Sequence, residues 1–333
     1  MRAVVLGATG FIGGQIARAL LDAGHEVLAF RRRPGPALAL EGLTDRAGYS
    51  EAIGDMLDQD AVERALVGRD VLFHTAGYYP TNNLDPLRSI RDGVASVRSV
   101  FGAAQQAGVG RVVYTSSLST IGRPRPGRDE ADETDYYLPG SGRHSYPEAK
   151  SAMEQEAYRY IALGLPIVVL CPTAVFGPGD VKPTSGAATL AVARRQTPAY
   201  IEGKMNVVDV RDVAAAQVAA AERGRPGQKY ILGGTNTTVG QLMATMAAEA
   251  GVPAPSVRLP VGLVYDLATL AEHLSSIVPG KTVKFLTTGV QQVRAGVHLS
   301  SAKADAELSL RHRTLETTIA DSLVWFREHG YLG

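Results

Sequence analysis

The stretch "VVLGATGFIGGQIARALLDAGHEVLAF", residues 4–30, restricts the fold of this chain more than any other. It runs from an apolar strand through a glycine turn into a helical pattern, then through Gly24 into a second apolar strand. Gly7, Gly10 and Gly13 stand in GxxGxxG spacing. Glycines there permit a tight turn and let a pyrophosphate approach the free N–H groups of a helix N-terminus. A bare glycine triplet means little, but in a strand–turn–helix–strand frame it predicts dinucleotide binding.

The remainder of the first half repeats this rhythm. Apolar runs at 3–7, 26–30, 70–76, 111–117 and 166–172 predict strands, and the stretches 12–23, 60–67, 89–107 and 146–162 between them predict helices. Unbroken Val/Leu/Ile runs alternating with helices predict an α/β fold with a doubly wound parallel sheet covered on both faces. After Pro172 the pattern changes to Gly/Pro-rich turns ("FGPGDVKPTSG"), a strand pair ("AYIEG", "MNVVDV") and several helices. This predicts a dinucleotide-binding unit over 1–172 and a smaller C-terminal substrate-capping region over 173–333. Residues 205–234, which end in the strand-like "KYILGG", partly return to the main sheet.

Net charge is +1 over 333 residues, so no global signal points to nucleic acid or a membrane surface, and arginine clusters must be read locally. The single cysteine, Cys171, allows no internal disulfide and sits in the apolar run "LPIVVLC", as a buried strand residue would. The seven histidines lack ligand-like spacing, which predicts no metal site. The chain opens directly into "MRAVVLGATG" with no charged leader, an expectation of a cytoplasmic protein.

The second strand ends at Phe30 and runs into Arg31, Arg32 and Arg33. A carboxylate at that point would bind the ribose 2′-hydroxyl of NAD, whereas guanidinium groups attract an adenosine 2′-phosphate. The run therefore favours NADP(H), with Arg31 and Arg32 as contacts, and leaves NAD(H) open should the arginines form a solvated loop. "GDMLD" offers Asp55 as an acceptor for the adenine amine.

"HSYPEAKSAMEQEAY" places Tyr146 and Lys150 four apart, on one face of a helix. A phenol with pKa about 10 is a poor acid–base group at neutral pH, and a nearby cation favours its phenolate. "VVYTSSLSTIG" sets Ser116 and Ser117 at the C-terminal end of a strand, where open α/β sheets bind ligands. A serine there could hold a substrate carbonyl while Tyr146 donates its proton.

In "GATGFIG", "GDMLD", "FHTAG", "YTSS", "YPEAK", "CPTAVFGPGD" and "VVDVRDVA", in this order, the chain resembles the extended short-chain dehydrogenase/reductases of the NAD-dependent epimerase/dehydratase superfamily. The resemblance covers essentially the whole chain and implies a Rossmann fold. It implies Ser117, Tyr146 and Lys150 as the catalytic set, with Lys150 also holding the nicotinamide ribose. Gly7, Thr9, Gly10, Phe11, Ile12 and Gly13 would line the pyrophosphate, Asp55 and Met56 the adenine, and Thr75, Ala76 and Gly77 the middle of the cofactor. Pro172, Thr173 and Val175 would approach the nicotinamide. Family members often dimerise, as 89–107 and 146–162 could.

Two branches of the superfamily compete. Sugar-nucleotide epimerases commonly carry an Asn where Cys171 stands and an Arg where Met205 stands, and the family's frequent Asn before "RVVYTSS" corresponds to Gly93. "PTAVFGPG" and the arginines look more like carbonyl reductases similar to dihydroflavonol reductase, whereas "GPGDVKPT" and "NVVDVRDVA" also resemble hopanoid-associated sugar epimerases. The expected activity is NADP(H)-dependent reduction of a ketone or aldehyde. The alternatives are a nucleoside-diphosphate-sugar epimerase or dehydratase with retained NAD, and an NADP(H)-sensing regulatory protein, although such sensors commonly lack the tyrosine–lysine pair. Tyr78, Tyr79 and His144 are candidate substrate contacts, or equally parts of packed loops.

Overall fold

The computed structural model describes residues 1–77, 86–140, 145–277, 290 and 293–332, with the side chains of 270–277 excepted. The first half contains β1 (Arg2–Leu6), α1 (Phe11–Asp22), β2 (Glu26–Arg31), β3 (Tyr49–Ile53), α2 (Gln59–Leu66), β4 (Val71–His74), α3 (Pro86–Gln106), β5 (Arg111–Thr115), β6 (Glu130–Ala131), α4 (Ser145–Ala162) and β7 (Ile167–Pro172). The second contains β8 (Ala174–Phe176), α5 (Gly186–Ala193), β9 (Ala199–Ile201), β10 (Lys204–Asp209), α6 (Val210–Arg223), β11 (Lys229–Leu232), β12 (Thr235–Thr238), α7 (Val239–Ala250), β13 (Val257–Leu259) and α8 (Val261–Ile277). It ends with β14 (His298–Leu299), α9 (Ala302–Leu308) and α10 (Leu315–Glu328).

Seven strands form one parallel sheet in the order β11-β7-β5-β4-β1-β2-β3. Successive side chains of a strand face opposite sides, and β1 shows the consequence. Ala3 and Val5 pack with Ile16 and Leu20 of α1 and Val213 and Ala216 of α6. Val4 and Leu6 pack with Leu66 of α2, Val97 and Phe101 of α3, and Met153 and Ala157 of α4. Both faces are thus sealed by helices, as the doubly wound reading requires. β11 brings the chain back to the main sheet beside β7.

Strand β3 is missing from the sequence-based expectation. It lies at the sheet edge, half-buried or exposed at every position, so it shows no unbroken apolar run. β5 ends at Thr115, two residues before the expected boundary, because the chain turns into a 3-10 segment at Leu118–Thr120.

A smaller unit is built around β12-β10-β8. Its own core contains Phe176, Val207, Leu242, Met246, Ile319 and Leu323. Among the described residues no helix is long and apolar enough to cross a membrane.

Candidate active site

The register of the main sheet places Phe30, Leu6, His74 and Tyr114 in one row. The segments that follow, the glycine turn, Thr75–Gly77 and Ser116–Ser117, therefore emerge along the same carboxyl edge. Pro172–Thr173 follows at the end of β7, beside Leu232. This edge is where a doubly wound sheet binds its ligand.

At the turn, Gly7 has φ +98° and its carbonyl accepts from the Gly10 N–H at 2.9 Å. A Cβ on Gly13 would stand 2.2 Å from the Gly7 carbonyl oxygen, and one on Gly7 would stand 2.6 Å from Thr75 Oγ1. Thr75 closes the far side, its N–H and hydroxyl both donating to Leu6 C=O at 2.9 Å. Helix α1 is preceded by Gly10 as its N-cap, with no side-chain cap and no acidic residue in its first turn, so its positive end is uncompensated from within. An anion is the natural complement of such an end. Thr9, Gly10, Phe11 and Ile12 are partly exposed there. The cradle fits the pyrophosphate of a dinucleotide.

The arginine run divides into two environments. Arg31 is the last residue of β2, and its side chain is only 5% exposed. Its guanidinium donates to Glu51 at 2.8 Å, to the Arg33 carbonyl at 2.8 Å and to the Gly35 carbonyl. Tyr49 donates to the same Glu51 carboxylate at 2.6 Å. Arg31 thus folds the 31–35 loop from beneath, while Arg32 and Arg33 are exposed. After β3, Asp55 is exposed and its carboxylate accepts from Leu57 N–H at 3.0 Å. Met56 packs against the core on the α2–α3 side.

The Ser117 and Tyr146 hydroxyl oxygens are 3.3 Å apart. Ser117 caps the 3-10 segment, its Oγ accepting from the Ser119 N–H at 3.2 Å and the Ser119 hydroxyl at 3.1 Å. Tyr146 is the second residue of α4, where the helix N-terminus favours negative charge. Lys150, one turn later, is buried with its ammonium 5.8 Å from the centroid of the Tyr146 ring. Burial pulls the Lys150 pKa down to about 8. The cation and the helix end both lie where negative charge on the Tyr146 oxygen would be favoured.

Thr173 donates through its hydroxyl to Asn206 Oδ1 at 2.8 Å, and its N–H donates to Leu232 C=O at 3.1 Å. Pro172 and Thr173 are buried, whereas Val175 is partly exposed. Asn206, which fixes this segment, escaped the sequence reading, as did Glu154 and Lys229 behind Ser117. Glu154 stands four residues after Lys150, a spacing that continues the Tyr146–Lys150 stripe and could have flagged it. Tyr78, Tyr79 and His144 lie outside the described residues. The Cys171 thiol is buried and pushed up to about 12, by burial first and the Glu154 carboxylate second, which leaves it inert as a nucleophile.

A sequence profile of the NAD dependent epimerase/dehydratase family matches residues 3–233. A Synechocystis protein named after dihydroflavonol 4-reductase is 34% identical over 98% of this chain and 95% of its own length. The sterol demethylase protein B of Methylococcus capsulatus is 30% identical over the whole of both chains. A crystal structure of a nucleoside-diphosphate-sugar epimerase from Pseudomonas aeruginosa superposes with a TM-score of 0.82, at 28% identity, over 100% of this chain and 99% of that one. The glycine cradle, the serine–tyrosine–lysine cluster and these similarities lead to one identification: the chain belongs to the NAD dependent epimerase/dehydratase family and is an NAD(P)-dependent enzyme of the extended short-chain dehydrogenase/reductase type.

Proposed function

We propose that the protein is an NADP(H)-dependent reductase of a ketone or aldehyde. The observation that carries the chemistry is the 3.3 Å approach of Ser117 and Tyr146 with Lys150 buried behind the phenol. In this reading Ser117 donates a hydrogen bond to the substrate oxygen and orients it toward Tyr146. The Tyr146 hydroxyl passes its proton to that oxygen as negative charge develops there. Lys150 supports the resulting phenolate and holds the cofactor ribose. A bound NADPH supplies the hydride.

The choice of NADP(H) rests on the end of β2, where the strand itself supplies no carboxylate, the neighbouring Glu51 is engaged by Arg31 and Tyr49, and Arg32 and Arg33 are exposed. The adenosine 2′-phosphate falls to Arg32, with Arg31 shaping the loop that presents it. Asp55 and Met56 take the adenine, Thr75 to Gly77 the cofactor's centre, and Pro172, Thr173 and Val175 the nicotinamide side.

The similarity to the Pseudomonas aeruginosa epimerase favours a second reading, a sugar-nucleotide epimerase that keeps its NAD. Identifying the nucleotide released on denaturation separates the two, followed by titration of the emptied protein with NADPH and NADH. The reductase reading requires an empty protein, or one carrying NADP(H), that prefers NADPH by tenfold or more, about 1.4 kcal/mol. Tightly held NAD would overturn it.

A further inference from the structure

The stripe of α4 that carries Tyr146 and Lys150 continues to Glu154, whose carboxylate is buried. Its Oε1 lies 2.6 Å from the Lys229 ammonium, itself buried on edge strand β11. Its Oε2 accepts from Ser116 Oγ at 2.5 Å and lies 2.7 Å from Thr120 Oγ1. The Thr120 hydroxyl is also 2.9 Å from the Ser117 carbonyl, so its one proton is shared between two acceptors. Lys229 then reaches past the carboxylate and donates to the Thr120 carbonyl at 3.3 Å.

Ser116 and Thr120 bracket Ser117. One ion pair therefore grips both ends of the short segment that presents the Ser117 hydroxyl. The grip is expensive. Withdrawing a carboxylate and an ammonium from water carries a large desolvation penalty for each ion, and apolar residues of similar volume commonly stabilise such a site equally well or better. General stability therefore gives no reason to keep this pair. Geometry does, because α4 carries Tyr146 at one end and Glu154 two turns on, about 12 Å along a rigid rod. The same helix sets the position of the phenol directly and that of the serine through its carboxylate.

We propose that Glu154 and Lys229 are a positioning pair for Ser117, holding residues 116–120 so that the serine hydroxyl faces Tyr146. The claim rests on the reading of Ser117 and Tyr146 as the groups that handle the substrate carbonyl. The informative variant replaces the whole pair, Glu154→Leu with Lys229→Met, so that no lone buried charge is left to unfold the protein. This double variant should melt no lower than the wild type and bind NADPH within twofold of it. Its kcat for reduction of 2,3-butanedione should fall tenfold or more, with KM changed much less.

The same pair of substitutions in a Ser117→Ala background should lower kcat by less than twofold, because the residue through which the pair acts is already gone. An equal tenfold loss in that background, or no loss in either, overturns the proposal. If the wild-type protein reduces neither 2,3-butanedione nor any other carbonyl tried, the reductase reading fails and the positioning claim is judged by hydrogen exchange. The Ser119 amide, which donates to Ser117 Oγ, should then exchange at least tenfold faster in the double variant. Unchanged exchange there rejects the pair as a clamp.

Discussion

The hydroxyl oxygens of Ser117 and Tyr146 lie 3.3 Å apart although 29 positions separate them in the chain. The serine arrives from the end of β5 and the tyrosine from the first turn of α4, so two independent elements converge on one point. Removing only the phenolic oxygen, in Tyr146→Phe, should lower kcat by about 10²–10⁴-fold, the usual contribution of a positioned acid–base group. Fluorescence titration should find NADPH affinity within twofold of wild type. A variant that turns over normally would remove Tyr146 from the chemistry.

The neighbouring arginines should respond differently to truncation. Arg31→Ala strips Glu51 of its cation and leaves the Arg33 and Gly35 carbonyls without their donor. A stability loss of about 1–3 kcal/mol is expected, the range for breaking a partly buried charged network. Arg32 is exposed at the open end of β2, and Arg32→Ala should leave the melting temperature in place. It should weaken NADPH at least tenfold while NADH binding stays constant. Parallel titrations with the two nucleotides decide this, and equal loss of both would mean that Arg32 contacts no 2′-phosphate.

Two glycines provide a matched pair for the turn. A methyl group on Gly13 collides with backbone at 2.2 Å, which side-chain motion cannot relieve, whereas Gly24 has nothing within 4 Å of its Cβ position. Gly13→Ala should therefore open the turn, costing on the order of 1–3 kcal/mol as an overpacked site and abolishing nucleotide binding. Gly24→Ala meets only the left-handed backbone penalty of about 1–2 kcal/mol, from φ +77°, and should bind nucleotide normally. Thermal melts with and without NADPH distinguish the two. A Gly13→Ala protein still stabilised by NADPH would show that the cradle tolerates a shift.

Sequence legibility followed the physics of each element. The β1–α1–β2 unit could be read because its strands are buried on both faces and its glycines mark a backbone contact that no other residue permits. Tyr146 and Lys150 could be read because helical spacing alone brings them together. Strand β3 could not, since an edge strand with exposed positions has no unbroken apolar signature. Lys229 was equally hidden, and Glu154 was marked only by its helical spacing after Lys150. A charged residue in a sequence reads as solvated by default, and only the fold brings the Lys229 ammonium of β11 within 2.6 Å of the Glu154 carboxylate on α4. The sequence offers Arg31 as a cation for a cofactor phosphate and gives no sign that it is a strut, because its partner Glu51 lies on the strand that went unread.

Two bases, His74 and Lys150, are buried beneath the site. His74 is fully buried between Phe101 and Tyr114, and neither ring nitrogen has a hydrogen-bond partner among the described residues. Burial, with the Lys150 charge adding to it, pulls its pKa down to about 3. The unfolded imidazole takes up its proton near pH 6.5 while the folded one stays neutral. Stability is therefore lost as pH falls from 6.5 toward 3, at up to about 1.4 kcal/mol per pH unit. Lys150 acts at the other end of the scale. Its folded pKa of about 8 lies below the unfolded value, so the cost of burying its charge disappears as pH rises from 8 to 10.5, a gain of about 3 kcal/mol. Guanidinium unfolding across pH should thus show His74→Phe flattening the acid limb. The stability advantage of Lys150→Met over wild type should shrink between pH 8 and 10.5. Curves that stay parallel to wild type in either variant would mean that the group exchanges its proton as freely in the fold as in the unfolded chain.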